Sequence, residues 1–114
     1  MSLTGDFLRG HTDAIILSLL EKEDSYGYMI NREISEISNH EFMLTEATLY
    51  TAFKRLEKEG LITSYWKEGH NNLKRKYYSI TNLGRKYLFN HRKDWKAANI
   101  IINKFLEGEN GTKD

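Results

Sequence analysis

The sequence contains no cysteine among its 114 residues. This absence excludes disulfide bonds, thiol catalysis and thiolate metal sites, and it suits a reducing cytoplasm. The first ten residues, MSLTGDFLRG, lack the basic, apolar and small-residue regions of a secretory signal, so we expect no export. The longest apolar stretch, AIILSLL at 14–20, is too short to span a bilayer, and no membrane association is expected.

Motifs for catalysis are also missing. The chain has no glycine-rich phosphate loop, no GxSxG motif and no evident pair of catalytic carboxylates. Its histidines, at positions 11, 40, 70 and 91, are far apart in sequence, and no two have the i, i+4 spacing of a metal-binding helix. We therefore expect neither an enzyme nor a bound metal or cofactor.

Charge is unevenly distributed although the net charge is only +1. Residues 1–44 carry three Lys/Arg and eight Asp/Glu, whereas residues 45–80 carry seven and four, and residues 81–114 also carry seven and four. This pattern favours a polyanion that meets the middle of the chain, and uneven but merely solvated surface charge is the alternative.

Three helices are predicted in the first half of the chain. The first, Thr12 to Leu20, is short and strongly apolar. The second covers 25–38, with Ser25 as a plausible N-cap. The third is capped by Thr45 and ends before Gly60, where a left-handed C-terminal cap is commonly placed. Its core stripe has i, i+3, i+4, i+7 spacing and comprises Leu49, Ala52, Phe53 and Leu56.

The second half predicts a hairpin and a long helix. Two β-prone runs, 61–68 and 73–81, flank a Gly/Asn-containing loop. Thr81 then caps a helix reaching about residue 106, which carries an a/d-type dimerisation seam of Leu88, His91, Trp95, Ala98, Ile102 and Phe105. The order predicts a mainly helical α+β fold. It comprises a winged helix-turn-helix domain over 1–80, a dimerisation helix over 81–106 and a flexible tail over 107–114.

The outer side of the third helix is rich in hydroxyl and cationic side chains. A helix fits the major groove of B-DNA, where hydroxyls reach base edges or phosphates and cations bind flanking phosphates. The hairpin would add a wing whose cations follow a neighbouring backbone. The predicted DNA-binding set is Thr45, Thr48, Tyr50, Thr51, Lys54, Arg55, Lys74, Arg75 and Lys76. The alternative is an ordinary surface helix in which Glu57 and Glu59 balance the cations.

Three segments resemble the PadR family of bacterial transcriptional regulators: YGYMI (26–30), ATLYTAFKRLEKEGLITSYW (47–66) and RKYYSITNLGRKYL (75–88). The similarity extends from about Leu8 to Phe105, and the single C-terminal helix with Trp95 is similar to the small multidrug-sensing subgroup. The resemblance implies a winged-helix repressor that dimerises through its C-terminal helix, with the N-terminal helix joining the interface. It also implies operator contacts from the wing cations and from Tyr50, Thr51 and Lys54.

A ligand site at the dimer interface is implied by the same resemblance. Trp95 would stack a planar aromatic molecule against its counterpart in the second chain, in a pore bordered by Phe7, Asp13, Ala14 and Leu17. The multidrug-sensing relatives carry an acid one turn after this tryptophan, whereas this chain has Asn99. We therefore expect a weaker preference for cationic ligands, unless Asp13 faces the pore and compensates.

Three functions remain open at this point. The preferred one is a cytoplasmic, homodimeric repressor that binds double-stranded operator DNA and responds to a planar aromatic effector. The second is a DNA binder in which Trp95 only packs at the interface. The third is a winged-helix protein-interaction module that has lost DNA binding, which the cations at 54–55 and 74–76 disfavour.

Overall fold

The structure, a computed structural model, describes residues 8–108. Phe7 and the tail residues 109–114 lie outside this range, so the expectations about them are not addressed. The described helices are α1 (Thr12–Lys22), α2 (Gly27–Ile37), α3 (Glu46–Lys58) and α4 (Asn82–Leu106), and a short 3₁₀ turn, Arg9–His11, precedes α1. The strands are β1 (Ser25–Tyr26), β2 (Ile62–Glu68) and β3 (Lys74–Ile80). The predicted mainly helical α+β fold, with three helices, a hairpin and a C-terminal helix, is confirmed. None of the helices within the described range is long and apolar enough to cross a membrane.

One hydrophobic core joins α1, α2, α3 and the sheet. The predicted stripe of α3 is buried, and Phe53 at its centre stacks on Tyr78 of β3 with ring centroids 3.9 Å apart. Helix α1 is buried on more than one side, since Ala14, Ile16 and Leu19, which point in different directions around its axis, are all at most 8% exposed. The crowded apolar residues of α1 thus reflect its central position in the fold.

The sheet is antiparallel with the order β1-β3-β2. The hairpin pairs Ile62 with Ile80 at its base and Glu68 with Lys74 at its tip. The prediction that Ser25 caps the second helix is wrong, because Ser25 lies in β1 and pairs with Tyr78. This pairing provides backbone partners for the second edge of β3, so α2 begins only at Gly27, without a side-chain cap.

Local hydrogen bonds fix both ends of α3. The Thr45 hydroxyl accepts a hydrogen bond from the Thr48 backbone N–H at 3.1 Å, which confirms the predicted N-cap. The side-chain amide of Asn31 holds the preceding loop, since it donates to the Leu44 carbonyl and accepts from the Leu44 N–H at 2.7 and 3.0 Å. Gly60 follows α3 with φ +78°, the left-handed conformation expected there. The orientation of α3 is therefore set from both sides.

Among the described residues, helix α4 contacts the rest of the chain mainly through its first three turns, as far as Arg92, which pairs with Glu21 of α1. Thr81 caps it by accepting from the Gly84 N–H at 3.0 Å. A Cβ at Gly84 would lie 2.2 Å from the Leu61 carbonyl oxygen, so only glycine permits this close approach. Leu88 is 2% exposed and closes the core. Beyond it, residues 89–106 are exposed apart from the half-buried His91, so most of α4 extends into solvent.

Candidate functional site

The exposed side of α3 carries the side chains that were predicted to contact DNA. All of the predicted residues of this element lie on the surface, away from the core stripe: Thr45, Thr48, Tyr50, Thr51, Lys54 and Arg55. Tyr50 rests against neighbouring structure, because its ring contacts Phe53 edge-on at 5.7 Å. A Cβ added at Gly27 would lie 2.9 Å from the Tyr50 hydroxyl oxygen. Glycine at the start of α2 thus makes room for a tyrosine that is still 46% exposed.

Arg55 forms a bidentate ion pair with Asp13 of α1. Its Nε donates to Asp13 Oδ2 at 3.2 Å, and its Nη2 donates to Asp13 Oδ1 at 2.5 Å. This hydrogen bonding raises the pKa of Arg55 above its ordinary value. In the single chain the carboxylate of Asp13 is thus directed toward α3. Its expected place at a pore between two chains stays a prediction.

A cleft of about 420 Å³ separates α3 from the start of α1. Its lining is rich in guanidinium and hydroxyl groups and consists of Arg9, Thr12, Ala47, Thr48, Thr51 and Arg55. Arg9 was not identified from the sequence, because no local pattern indicates that the turn before α1 lies beside α3. The only available signal was that Arg9 is one of three cations in an acidic region.

The wing, which we define as strands β2 and β3 with their connecting loop, exposes the predicted cations Lys74, Arg75 and Lys76. They do not share one face, because side chains alternate along a strand. Arg75 lies over the Tyr26 ring with its Cζ 4.7 Å from the centroid, whereas Lys76 lies nearer Tyr78, with its Nζ at 5.9 Å. Basic groups therefore project from both sides of the wing.

The two wing faces differ in their aromatic content. Tyr78 is buried on the core side, whereas Tyr77 lies on the outer side between Tyr26 and Tyr65. The Tyr65 hydroxyl donates to Asp24 Oδ2 at 2.6 Å, and this hydrogen bond raises the pKa of Tyr65 to about 12. Trp66 pairs with Lys76 and is 65% exposed, so an indole and an ammonium group lie together near the wing tip.

A groove runs along α4 where it faces α1. It consists of two adjoining cavities of about 290 and 340 Å³ that share His11, His91 and Trp95. His11 Nδ1 and His91 Nε2 are 3.0 Å apart and form a hydrogen bond between the start of α1 and α4. We call the combined space the α4 groove; its other lining residues are Ala14, Ile15, Ser18, Leu88, Arg92, Asp94, Ala98, Asn99 and Ile102.

The predicted ligand and seam residues are only partly brought together by this groove. Ala14, Trp95 and Asn99 line it. Leu17 is fully buried in the core of the single chain and does not line this groove, and the predicted pore between two chains stays a prediction. Leu88 is covered by its own chain, and the seam that remains exposed begins beyond it. Asp94 was missed: it precedes the tryptophan in sequence and places a carboxylate in the groove.

Comparisons with known proteins agree on one family. A model described as the transcriptional regulator PadR-like family matches residues 16–90. An uncharacterized protein of Lysinibacillus sphaericus is 48% identical over 103 residues, covering 90% of this chain and 94% of that protein. A transcriptional regulator from Clostridium thermocellum is 44% identical over 90% of this chain and 99% of its own, with a TM-score of 0.82. Bacillus subtilis PadR, solved in complex with operator DNA, is 28% identical over 69% of this chain and 45% of its own, with a TM-score of 0.63.

Proposed function

The chain belongs to the PadR-like family of transcriptional regulators, and we propose that it is a cytoplasmic repressor that binds operator DNA as a homodimer. The observation that carries this proposal is the exposed face of α3, where hydroxyls and cations stand together beside a basic wing. A helix of this kind can enter the major groove while the wing follows the adjacent backbone. The relative bound to operator DNA supports the same use of the shared fold.

Dimerisation through α4 follows from its uncovered apolar surface. Trp95, Ile102 and Phe105 are 51%, 50% and 82% exposed in the single chain, and Ile100, Ile101 and Leu106 are exposed as well. Soluble monomers rarely expose so many neighbouring apolar side chains to water, so we propose that the α4 of a second chain packs against them. A two-fold dimer then presents two α3 helices to half-sites one helical turn, or a multiple of it, apart.

The α4 groove is the proposed effector site. Trp95 offers an aromatic face next to Ala14 and Asn99, which suits a planar aromatic molecule held between the two chains. Asn99 supplies no charge, but Asp94 in the same cavity provides a carboxylate. We therefore propose flat aromatic ligands with a modest preference for cations.

Two contacts, one from the 3₁₀ turn and one from the first turn of α1, connect this groove to α3. His11 bonds to His91 at the groove, and two residues later Asp13 holds Arg55. An effector that displaces His91 would shift the start of α1 and with it the attachment of α3. Changes of this kind typically couple two sites by roughly 1–3 kcal/mol, enough to lower operator affinity.

The test is fluorescence-anisotropy binding to DNA from upstream of the protein's own gene at several salt concentrations. We expect saturable, sequence-selective binding that weakens steeply with salt and is reversed by some planar aromatic compounds. Trp95→Ala should retain DNA binding and lose the effector response, with Trp66→Phe as the background for fluorescence titrations of the compounds. Absence of binding even at low salt would refute the proposal and favour a protein-interaction module. Normal DNA binding with no response from any compound would leave a regulator without a sensor.

A further inference from the structure

We infer that the hydrogen bond between His11 and His91 is a pH-sensitive contact, which joins the 3₁₀ turn to α4 near neutral pH and breaks when both imidazoles are protonated. We call these two residues the histidine pair. The inference goes beyond the proposed function, because it makes acid an input to the α4 groove in the absence of any effector. It concerns the single chain, so it can be tested without DNA and without a ligand.

The two imidazole rings of the histidine pair meet end to end. His11 Nδ1 lies 3.0 Å from His91 Nε2, while the ring centroids are 5.2 Å apart and the ring planes are inclined by 86°. At this separation one nitrogen must donate a hydrogen bond and the other must accept it. A neutral pair meets this requirement, and so does a pair with one extra proton. A doubly protonated pair instead opposes two N–H donors and two positive charges, so the contact can hold at most one extra proton.

Partial burial strengthens both the hydrogen bond and the repulsion that replaces it. Both rings are half-buried, although His11 and His91 are 80 positions apart in sequence. Tyr87 adds to the shielding, because its ring is stacked on that of His91 with the centroids 6.1 Å apart. Where water is partly excluded, hydrogen bonds and charge–charge interactions are both stronger than at an open surface.

The elements on either side of the histidine pair carry charged groups that are paired with each other. Asp13 of α1 binds Arg55 of α3 through both carboxylate oxygens. Arg92 of α4 binds Glu21 of α1, with Nη2 donating to Oε1 at 2.8 Å and Nη1 donating to Oε2 at 3.3 Å. These ion pairs persist through the pH range in which histidine titrates, so they do not replace the histidine pair as the group that responds to pH.

Two further charged residues belong to the same region. Arg9 stands in the 3₁₀ turn and lines the cleft beside α3. Asp94 lines the cavity that both imidazoles share, so the groove offers a carboxylate to a single imidazolium. Histidine side chains change charge between roughly pH 5 and pH 8, and two that are in contact titrate as a coupled unit. Acidification through this range should therefore convert the bonded pair into the doubly protonated one.

The direction of the pH effect follows from the numbers of bound protons. The intact contact holds at most one extra proton, whereas the separated imidazoles hold two in acid, as they do in the unfolded chain. The contact therefore adds stability near neutral pH, and this contribution is lost as the pH falls. The Arg92–Glu21 ion pair and the buried Leu88 still hold α4 on α1, so separation frees the 3₁₀ turn and widens the α4 groove next to Trp95.

The first experiment is a double-mutant cycle of His11→Ala and His91→Ala in the full-length protein. Urea unfolding is followed at one fixed protein concentration, at about pH 8 and at about pH 5. The coupling should be roughly fivefold in the unfolding equilibrium constant at the higher pH, the size of one hydrogen bond, and should vanish or change sign at the lower pH. The matched control cycle combines His91→Ala with His40→Ala, because His40 bonds to Ser35 Oγ at 3.0 Å instead, and should show no coupling at either pH.

The second experiment follows the α4 groove itself. The chain has two tryptophans, so Trp66→Phe leaves Trp95 as the only one. On acidification its emission should shift to longer wavelength, because the widened groove admits water to the indole. His11→Gln keeps a polar side chain that does not titrate and should abolish the shift, whereas His70→Gln in the wing loop should retain it.

Each outcome decides the inference. Coupling that disappears in acid, together with a Trp95 shift that requires His11, supports the pH-sensitive contact. Coupling of equal size at both pH values would overturn it, because the pair would then be an ordinary structural contact. Absence of coupling near pH 8, or a Trp95 shift that persists in His11→Gln, would overturn it as well. Neither experiment contains DNA, so failure of the proposed function would leave both results unchanged.

Discussion

Replacing Gly84 by alanine should separate α4 from the domain on which it is docked. The added Cβ would lie 2.2 Å from the Leu61 carbonyl oxygen and 2.8 Å from Ile80 Cγ1. That oxygen cannot move away easily, because it accepts a hydrogen bond from the Thr81 N–H at 3.0 Å. The start of α4 would therefore have to retreat by roughly 1 Å to restore ordinary van der Waals contact.

The energetic cost follows from two opposing effects. Overpacking in a well-packed contact destabilises by about 1–3 kcal/mol, and the upper end applies because the opposing atom belongs to the backbone. The higher helix propensity of alanine offsets up to about 1 kcal/mol of this destabilisation. We expect a net loss of about 2 kcal/mol, which for a domain of this size lowers the melting temperature by roughly 8–16 °C.

The assay is thermal unfolding followed by circular dichroism at one fixed protein concentration. Gly10→Ala is the matched control, since no heavy atom of residues 8–108, its chain neighbours aside, lies within 4 Å of a Cβ at that position. The melting temperature of this variant should change little. A Gly84→Ala variant as stable as wild-type protein would contradict the close packing of α4 on Leu61. The variant should also bind operator DNA more weakly, because a displaced α4 would change the spacing of the two α3 helices in the proposed dimer.

Three further predictions concern separate contacts. Thr45→Ala removes the acceptor for the Thr48 N–H and should cost about 1 kcal/mol of unfolding free energy in denaturant titrations, whereas Thr45→Ser should cost much less. Tyr65 should titrate at about pH 12 by tyrosinate absorbance, and Asp24→Asn should return it toward its ordinary pKa of 10.0. Because the folded-state pKa is raised, the stabilisation is complete below pH 10 and is lost as pH rises toward 12. Asp13→Asn should release Arg55 for contact with a DNA phosphate, so low-salt DNA affinity should rise and the salt dependence should steepen. The response to the proposed effector should shrink. Unchanged DNA binding and an unchanged response would refute the connection through α1.

Elements that depend on near neighbours in sequence were predictable. The buried stripe of α3, its Thr45 cap and the cap of α4 at Thr81 all follow from spacings of three or four residues. The hairpin was equally accessible, because its two strands flank one short loop. These features need no knowledge of how distant segments pack.

Features that depend on distant segments were not predictable. Ser25 has the local sequence of a helix N-cap, but in the fold it pairs with Tyr78 of β3, more than fifty residues later. Asp13 and Arg55 are 42 positions apart, and nothing local indicates that they meet. Leu17 lies in a helix with apolar residues on most sides, so periodicity alone does not show that it is fully buried in the core.

The order of the extended second half of α4 should depend on the protein concentration. This helix is about 37 Å long, yet among the described residues 8–108 little packs against it beyond Arg92. Isolated helical segments are only marginally stable in water, so residues 89–106 should depend on the proposed association to remain ordered. If α4 dimerises as proposed, dilution should by mass action unfold this helix and with it the proposed effector site, before the rest of the fold is affected. Chains at low concentration should therefore keep an ordered α3 while residues 89–106 are unfolded.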